Sequence, residues 1–320
     1  MPSTLCLPNK KRAMSVSMLH NVPTLPLDPA IVDIDRQWKA AGIPDLYEGG
    51  NGPVSRERAH NVRAFLYPKP KLPEGSIASR TIPGPAGDID VRIIRPLEGA
   101  VTGTLVYFHG GGWVVGDLES HEAHAIRLAN RAGVVVLNVA YRLAPEHPFP
   151  AAADDAEAAM RWAAANLAAL GGADKPLAVG GDSAGGNLAA VAALYCRDHG
   201  IALACQLLMY PATNLSGRGG PEKSYLGEDA EQKALDPRVS PLKAPTLAGL
   251  APAILGVGVH DFLYQDNMTY AAALKAANVA LCLRVYGDLN HGFFSYTAVS
   301  TASAAAADQL CDDLRAHLST

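Results

Sequence analysis

Four segments of this chain hold residues whose types and spacing could carry out acyl transfer. Gly181-Asp182-Ser183-Ala184-Gly185 sets a serine between glycines two positions away on either side, after the apolar Leu177-Ala178-Val179 and before an alanine-rich stretch. That pattern reads as a strand, a strained turn and a helix, with the hydroxyl held up for attack. The glycines permit unusual backbone dihedrals and close approach of neighbouring segments. The motif is weak by itself, and its weight comes from what lies up and down the chain. His109-Gly110-Gly111-Gly112-Trp113 follows the strand-like 104–108 and leaves main-chain amides unshielded, the outline of an oxyanion hole. Asp261 and His291 each follow a strand pattern, 253–259 and 281–286, and come in the chain order serine, acid, histidine. Asp288 and Asp266 compete for the acid role, and placement at a strand end favours Asp261.

The roles follow from the groups. A neutral His291 would take the Ser183 proton during attack on an ester carbonyl and return it to the leaving alcohol, with Asp261 orienting the imidazole and stabilising its charged form. An acyl-enzyme forms and water cleaves it. The ordinary histidine pKa is about 6.5, so activity is expected to rise from weakly acidic pH to a plateau above neutrality.

The elements that would position these residues alternate from Ile89 onward, which is the pattern of a mostly parallel sheet covered by helices on both faces. Strands are expected at 89–95, 104–108, 134–139, 176–179, 203–209, 253–259 and 281–286, and helices at 122–131, 151–170, 186–199, 265–277 and 300–318. Ahead of them, 29–41 and 56–67 read as helices, the first with Asp28 as N-cap and Pro29 in the first turn. Between Pro211 and Pro252 the pattern breaks into Gly/Pro-rich sequence, with one short helix expected at 224–235.

Taken together, His109-Gly-Gly-Gly112, Tyr141-Arg-Leu-Ala-Pro-Glu-His-Pro-Phe-Pro150, Gly181-Asp-Ser-Ala-Gly-Gly186, Asp236-Pro-Arg-Val-Ser-Pro241, Asp261-Phe-Leu263 and His291-Gly-Phe293 resemble the bacterial hormone-sensitive-lipase-like (family IV) carboxylesterases, a branch of the α/β-hydrolases. The resemblance implies an α/β-hydrolase fold with a small helical cap. It implies Ser183 as nucleophile, Asp261 and His291 as its partners, and the amides of Gly111, Gly112 and Ala184 as the oxyanion hole. It implies cap helices over 18–70 and a catalytic domain over 71–320, with a short cap insertion at 213–250. The insertion looks shortened relative to the family, and Phe262 stands where the family usually has proline. The function implied is hydrolysis of small, short-acyl esters without cofactor or metal. An amidase or deacetylase on the same triad is the alternative. A non-catalytic ligand binder, like the plant gibberellin receptors that also resemble this family but lack the histidine, is a third reading.

Composition bounds the partners. The formal net charge of −4 offers no attraction to nucleic acid or an anionic membrane, and no apolar run reaches the length of a membrane span. Cys6, Cys196, Cys205, Cys282 and Cys311 are odd in number and form no C-x-x-C pair, which suggests a reducing, cytoplasmic setting. Residues 1–17 are expected to be an unstructured extension, with Met14 and Met18 as later starts. His121 and His124 are spaced like metal ligands but lack a third partner in the sequence, so they read as surface or packing residues; Asp182 receives no catalytic role. The strand at 281–286, if it lies at a sheet edge, would allow two copies to pair as a homodimer.

Overall fold

A parallel sheet covered on both faces needs strands that are apolar along their whole length, and this chain supplies them. The computed structural model describes residues 23–44, 46–48, 52–66 and 72–319. The extension expected at 1–17, and Cys6, lie outside those residues. A hairpin of β1 (Ile77–Gly84) and β2 (Gly87–Ile94) precedes β3 (Gly103–Phe108), β4 (Val134–Val139), β5 (Leu177–Asp182), β6 (Cys205–Met209), β7 (Ala253–Gly258) and β8 (Leu281–Tyr286). β3 to β7 are buried at every residue, and β8 at all but its first.

The eight strands form one sheet in the order β1-β2-β4-β3-β5-β6-β7-β8. Pairing is parallel from β4 to β8 and antiparallel at β1/β2 and β2/β4. The chain leaves β3 for β4 on one side and returns to β5 on the other. This reversal opens a crevice at the carboxyl ends of β3 and β5, where open α/β sheets place their ligands. Register sets Phe108 beside Gly181, so the residues after both strands emerge side by side.

The helices are α1 (Pro29–Ala40), α2 (Gly52–Leu66), α3 (Glu122–Ala132), α4 (Ala151–Ala165), α5 (Ala184–Asp198), α6 (Pro221–Leu226), α7 (Ala230–Lys233), α8 (Tyr264–Ala276) and α9 (Thr301–Leu318). α3 packs on α9 and α4 on α5, and together they flank the sheet. None of the described helices is long and apolar enough to cross a membrane. At the start of α1, Asp28 accepts the Ala30 amide at 2.7 Å through one oxygen and the Ser300 hydroxyl at 2.9 Å through the other. One carboxylate thus caps α1 and ties it to the N-cap of α9.

Several boundaries differ from the sequence expectation for physical reasons. β1 was not anticipated because it is an edge strand, exposed at most positions and without apolar alternation. α4 stops at Ala165, where the Asn166 amide turns back to the Trp162 carbonyl at 2.8 Å, and a single 3-10 turn continues over Leu167–Ala169. The helix expected at 224–235 is split into α6 and α7 by Gly227 at φ 64°. β8 does stand at a sheet edge.

Candidate active site

The elbow after β5 is built from contacts only glycine can make. A Cβ on Gly185 would stand 2.0 Å from the Phe108 carbonyl oxygen, and one on Gly181 2.3 Å from that of Gly185. Ser183 between them sits at φ 54°, ψ −116°, a strained conformation held by its amide on the Met209 carbonyl at 2.9 Å. α5 starts at the next residue, so Ser183 occupies its N-cap. The Ala184 amide therefore belongs to the first turn, whose N–H groups have no intrahelical acceptor.

Two loops complete the arrangement. Gly258 ends β7 so close to Leu289 that a Cβ would lie 2.1 Å from its carbonyl oxygen, and the His260 amide donates to that oxygen at 3.0 Å. The loops after β7 and β8 are thereby joined. Asp261, 5% exposed, accepts the Leu263 amide at 2.7 Å and faces His291 Nδ1 with both carboxylate oxygens at 2.9 Å. A carboxylate only accepts, so Nδ1 carries the proton and Nε2 is bare. Nε2 stands 2.8 Å from Ser183 Oγ. The structure thus brings Ser183, His291 and Asp261 into one hydrogen-bonded row. The two competing acids lie elsewhere: Asp266 accepts the Thr213 amide at 2.7 Å, and Asp288 gives its backbone carbonyl to the Asp28 amide. Phe262 leaves Asp261 in reach of His291; its ring is 70% exposed and 4.4 Å from the imidazole.

The glycine loop after β3 turns tightly beside the serine. Gly111, Gly112 and Trp113 have φ of 122°, 59° and 59°, and the Gly111 carbonyl accepts from Val114 and Val115. The amides of Gly111 and Gly112 donate to no group among the described residues. Trp113 braces this loop: it is buried and stacked on Tyr225 of α6 at 4.4 Å. A cavity of about 660 Å³ is lined by Ser183 and His291 together with Leu46, Tyr47, Ala59 and Val62.

Sequence reasoning missed the group beneath the loop. His121 and His124 are buried, and Asp182 is the third partner the sequence did not reveal; one ligand-type atom from each lies within 4.8 Å of the others. Such a trio could hold a metal ion, but Asp182 is already engaged within the protein. Its Oδ1 accepts the Tyr107 hydroxyl at 2.5 Å and the Gly110 amide at 2.9 Å, and its Oδ2 lies 3.7 Å from His121 Nε2. Burial works against its charge, but the neighbouring His121 and His124 and the Tyr107 hydroxyl outweigh burial and hold the carboxyl far below the ordinary range. His109 donates from Nδ1 to the Gly110 carbonyl at 2.8 Å, under a stacked Tyr141 whose hydroxyl donates to the His109 carbonyl at 2.7 Å. Burial first, and then His121, push the His109 imidazole down to about 3. The sequence signals for this group were the spacing of His121 and His124 and the position of Asp182 beside Ser183 at the end of an apolar strand.

Comparison with known proteins places these features in a wider set. A family described as having the alpha/beta hydrolase fold matches residues 105–295. The chain is 42% identical to the carboxylic ester hydrolase LipN of Mycobacterium tuberculosis, over 97% of this chain and 88% of that protein. It is 36% identical to an ethyl acetate hydrolase of Pseudomonas putida, over 72% and 79% respectively. A hyperthermophilic esterase from Pyrobaculum calidifontis superposes with a TM-score of 0.83 at 34% identity, covering 92% of this chain and 100% of that one.

Proposed function

Because this chain belongs to the alpha/beta hydrolase family, we propose that it is a serine carboxylesterase that cleaves small, short-acyl esters through an acyl-enzyme. The observation that carries the proposal is the row of contacts from Ser183 Oγ through both ring nitrogens of His291 to Asp261. Ser183 is the nucleophile, His291 the base and then the acid, and Asp261 the group that fixes the tautomer. When the hydroxyl attacks, its proton passes to Nε2 and the carbonyl oxygen becomes negative. The amides of Gly111, Gly112 and Ala184 receive that charge, and the N-terminal end of α5 adds its dipole. His291 then protonates the leaving alcohol, and water repeats the sequence in reverse to free the acid.

Small substrates suit a cavity of about 660 Å³ walled in part by Leu46, Val62 and Leu143. α1, α2 and the segment at 213–250 serve as the cap over a catalytic domain at 71–320. Among the described residues Cys196, Cys205, Cys282 and Cys311 are buried and joined by no disulfide, which supports work in a reducing compartment such as the cytoplasm. β8 is the edge through which a second copy would pair. The test is turnover of p-nitrophenyl esters from acetate to palmitate beside an anilide and an acetylated sugar, for the protein and Ser183→Ala. The expected result is a preference for acetate or butyrate that disappears in the variant. Faster turnover of long acyl chains or of the anilide, or a variant as active as the parent, would reject this function.

A further inference from the structure

The residue just before the nucleophile holds the loop that must receive the oxyanion. We infer that Asp182 is a positioning residue for acyl transfer: through the Gly110 amide it fixes the direction in which the next amides of the glycine loop point. This inference rests on the serine-esterase reading above.

The geometry is specific. Phe108 and Gly181 are register neighbours on β3 and β5, so His109 comes level with Asp182, the last residue of β5, and Gly110 follows directly. A Cβ on Gly110 would lie 2.3 Å from Asp182 Oδ2, so the loop is pressed directly against the carboxylate. Oδ1 takes the Gly110 amide and the Tyr107 hydroxyl at once. Hydrogen bonds to a charged acceptor are stronger than those between neutral groups, and the surroundings keep this carboxyl ionised. The following peptide is held at its other end. Its carbonyl, that of Gly110, accepts from His109 Nδ1 at 2.8 Å. In a trans peptide the N–H points opposite to the C=O, so the Gly111 amide is turned away from His109. Gly111 also lines the cavity that Ser183 lines. Two fixed points on successive peptides thus aim one donor, and Asp182 supplies the first from the same elbow that carries the nucleophile. The hydroxyl and the amide donor are thus linked by one hydrogen bond and the few covalent bonds on either side of it.

The test separates positioning from folding. Asp182→Asn keeps an acceptor oxygen of the same shape and loses the charge; kcat should fall about 10-fold with KM unchanged, because the oxyanion exists only in the transition state. Asp182→Ala leaves the Gly110 amide and the Tyr107 hydroxyl without this acceptor and should lose about 10²–10³ in kcat, the effect of one misplaced oxyanion donor. Tyr107→Phe, which loosens the carboxylate but leaves its bond to Gly110, should lose about 3-fold, and it keeps the test decisive if the Asp182 variants fold poorly. Each variant is measured per serine titrated to completion with a fluorophosphonate. The affinity of a trifluoromethyl ketone, which mimics the tetrahedral adduct, is then plotted against kcat/KM. Positioning requires the two to fall together, point for point, while inhibition by the product alcohol stays level. Losses that vanish once folded serine is counted, ketone affinity that stays at the parent level, or Asp182 variants within about 2-fold of the parent would overturn the inference. Failure of the underlying reading is seen separately, in a parent protein without esterase turnover or one insensitive to Ser183→Ala.

Discussion

Replacing Gly111 by alanine tests the proposed oxyanion hole at its least tolerant point. Gly111 has φ 122°, where a side chain is strained whatever space surrounds it. Its added Cβ would lie 2.1 Å from the Val115 carbonyl oxygen and 2.7 Å from the carbon of the same group. A carbon–oxygen contact needs about 3.3 Å, so the loop must retreat by about an ångström. The turn in which Val114 and Val115 donate to the Gly111 carbonyl opens as it does so. A donor placed at 2.7–3.1 Å from the oxyanion then falls outside hydrogen-bonding range, which costs about 2.7–4 kcal/mol of transition-state stabilisation per donor. The expected result is a loss of about 10²–10³ in kcat on p-nitrophenyl butyrate with KM nearly constant. Thermal unfolding is monitored alongside, because the loop's Trp113, Val114 and Val115 are buried in the core and displacing them also costs stability. Gly42→Ala is the matched control: Gly42 also has positive φ, 62°, but a Cβ there meets nothing within 4 Å among the described residues. It should leave kcat unchanged. If Gly111→Ala retains kcat within about 3-fold of the parent while remaining folded, the amides of this loop do not carry the oxyanion.

Two further outcomes follow from buried charge. His109 is held neutral down to about 3 by burial and by His121, whereas in the unfolded chain it takes a proton near the ordinary value of about 6.5. Between those values the unfolded state binds more protons, so this group lowers stability as pH falls, by about 1.4 kcal/mol per pH unit. Urea midpoints measured from pH 7 to 4.5 should therefore fall less steeply for His109→Gln than for the parent, and equal slopes would refute this assignment. Arg284 of β8 and Asp313 of α9 form a paired-fork bridge of 2.8 and 2.7 Å, nearly closed from solvent. Arg284→Met should cost about 3–5 kcal/mol in chemical denaturation, because it leaves a buried carboxylate unpaired. The same substitution should hardly alter KM, since neither residue lines the cavity.

The sequence by itself determined the local pieces of this protein. Glycines two positions either side of Ser183 could be read as a sharp elbow because only glycine tolerates the 2.0–2.3 Å approaches found there. Continuously apolar runs such as Val134–Val139 announced strands buried on both faces, and the order of serine, acid and histidine matched the succession of strand ends. Signals of this kind depend on a few neighbouring residues. β1 stayed hidden because its exposed edge position demands no apolar pattern, and the end of α4 because a side-chain turn at Asn166 outweighs helix-forming alanines. Placement at a strand end already favoured Asp261 over Asp266 and Asp288; tertiary structure joined the β7 and β8 loops and so set that carboxylate against His291. It also gave Asp182 its partners. That residue reads as an unremarkable neighbour of the serine until the register of β3 against β5 sets it beneath the Gly110 amide, with His121, His124 and Tyr107 around it. Hydrogen bonds between residues 72 positions apart depend on strand order and register, and no short stretch of chain encodes either.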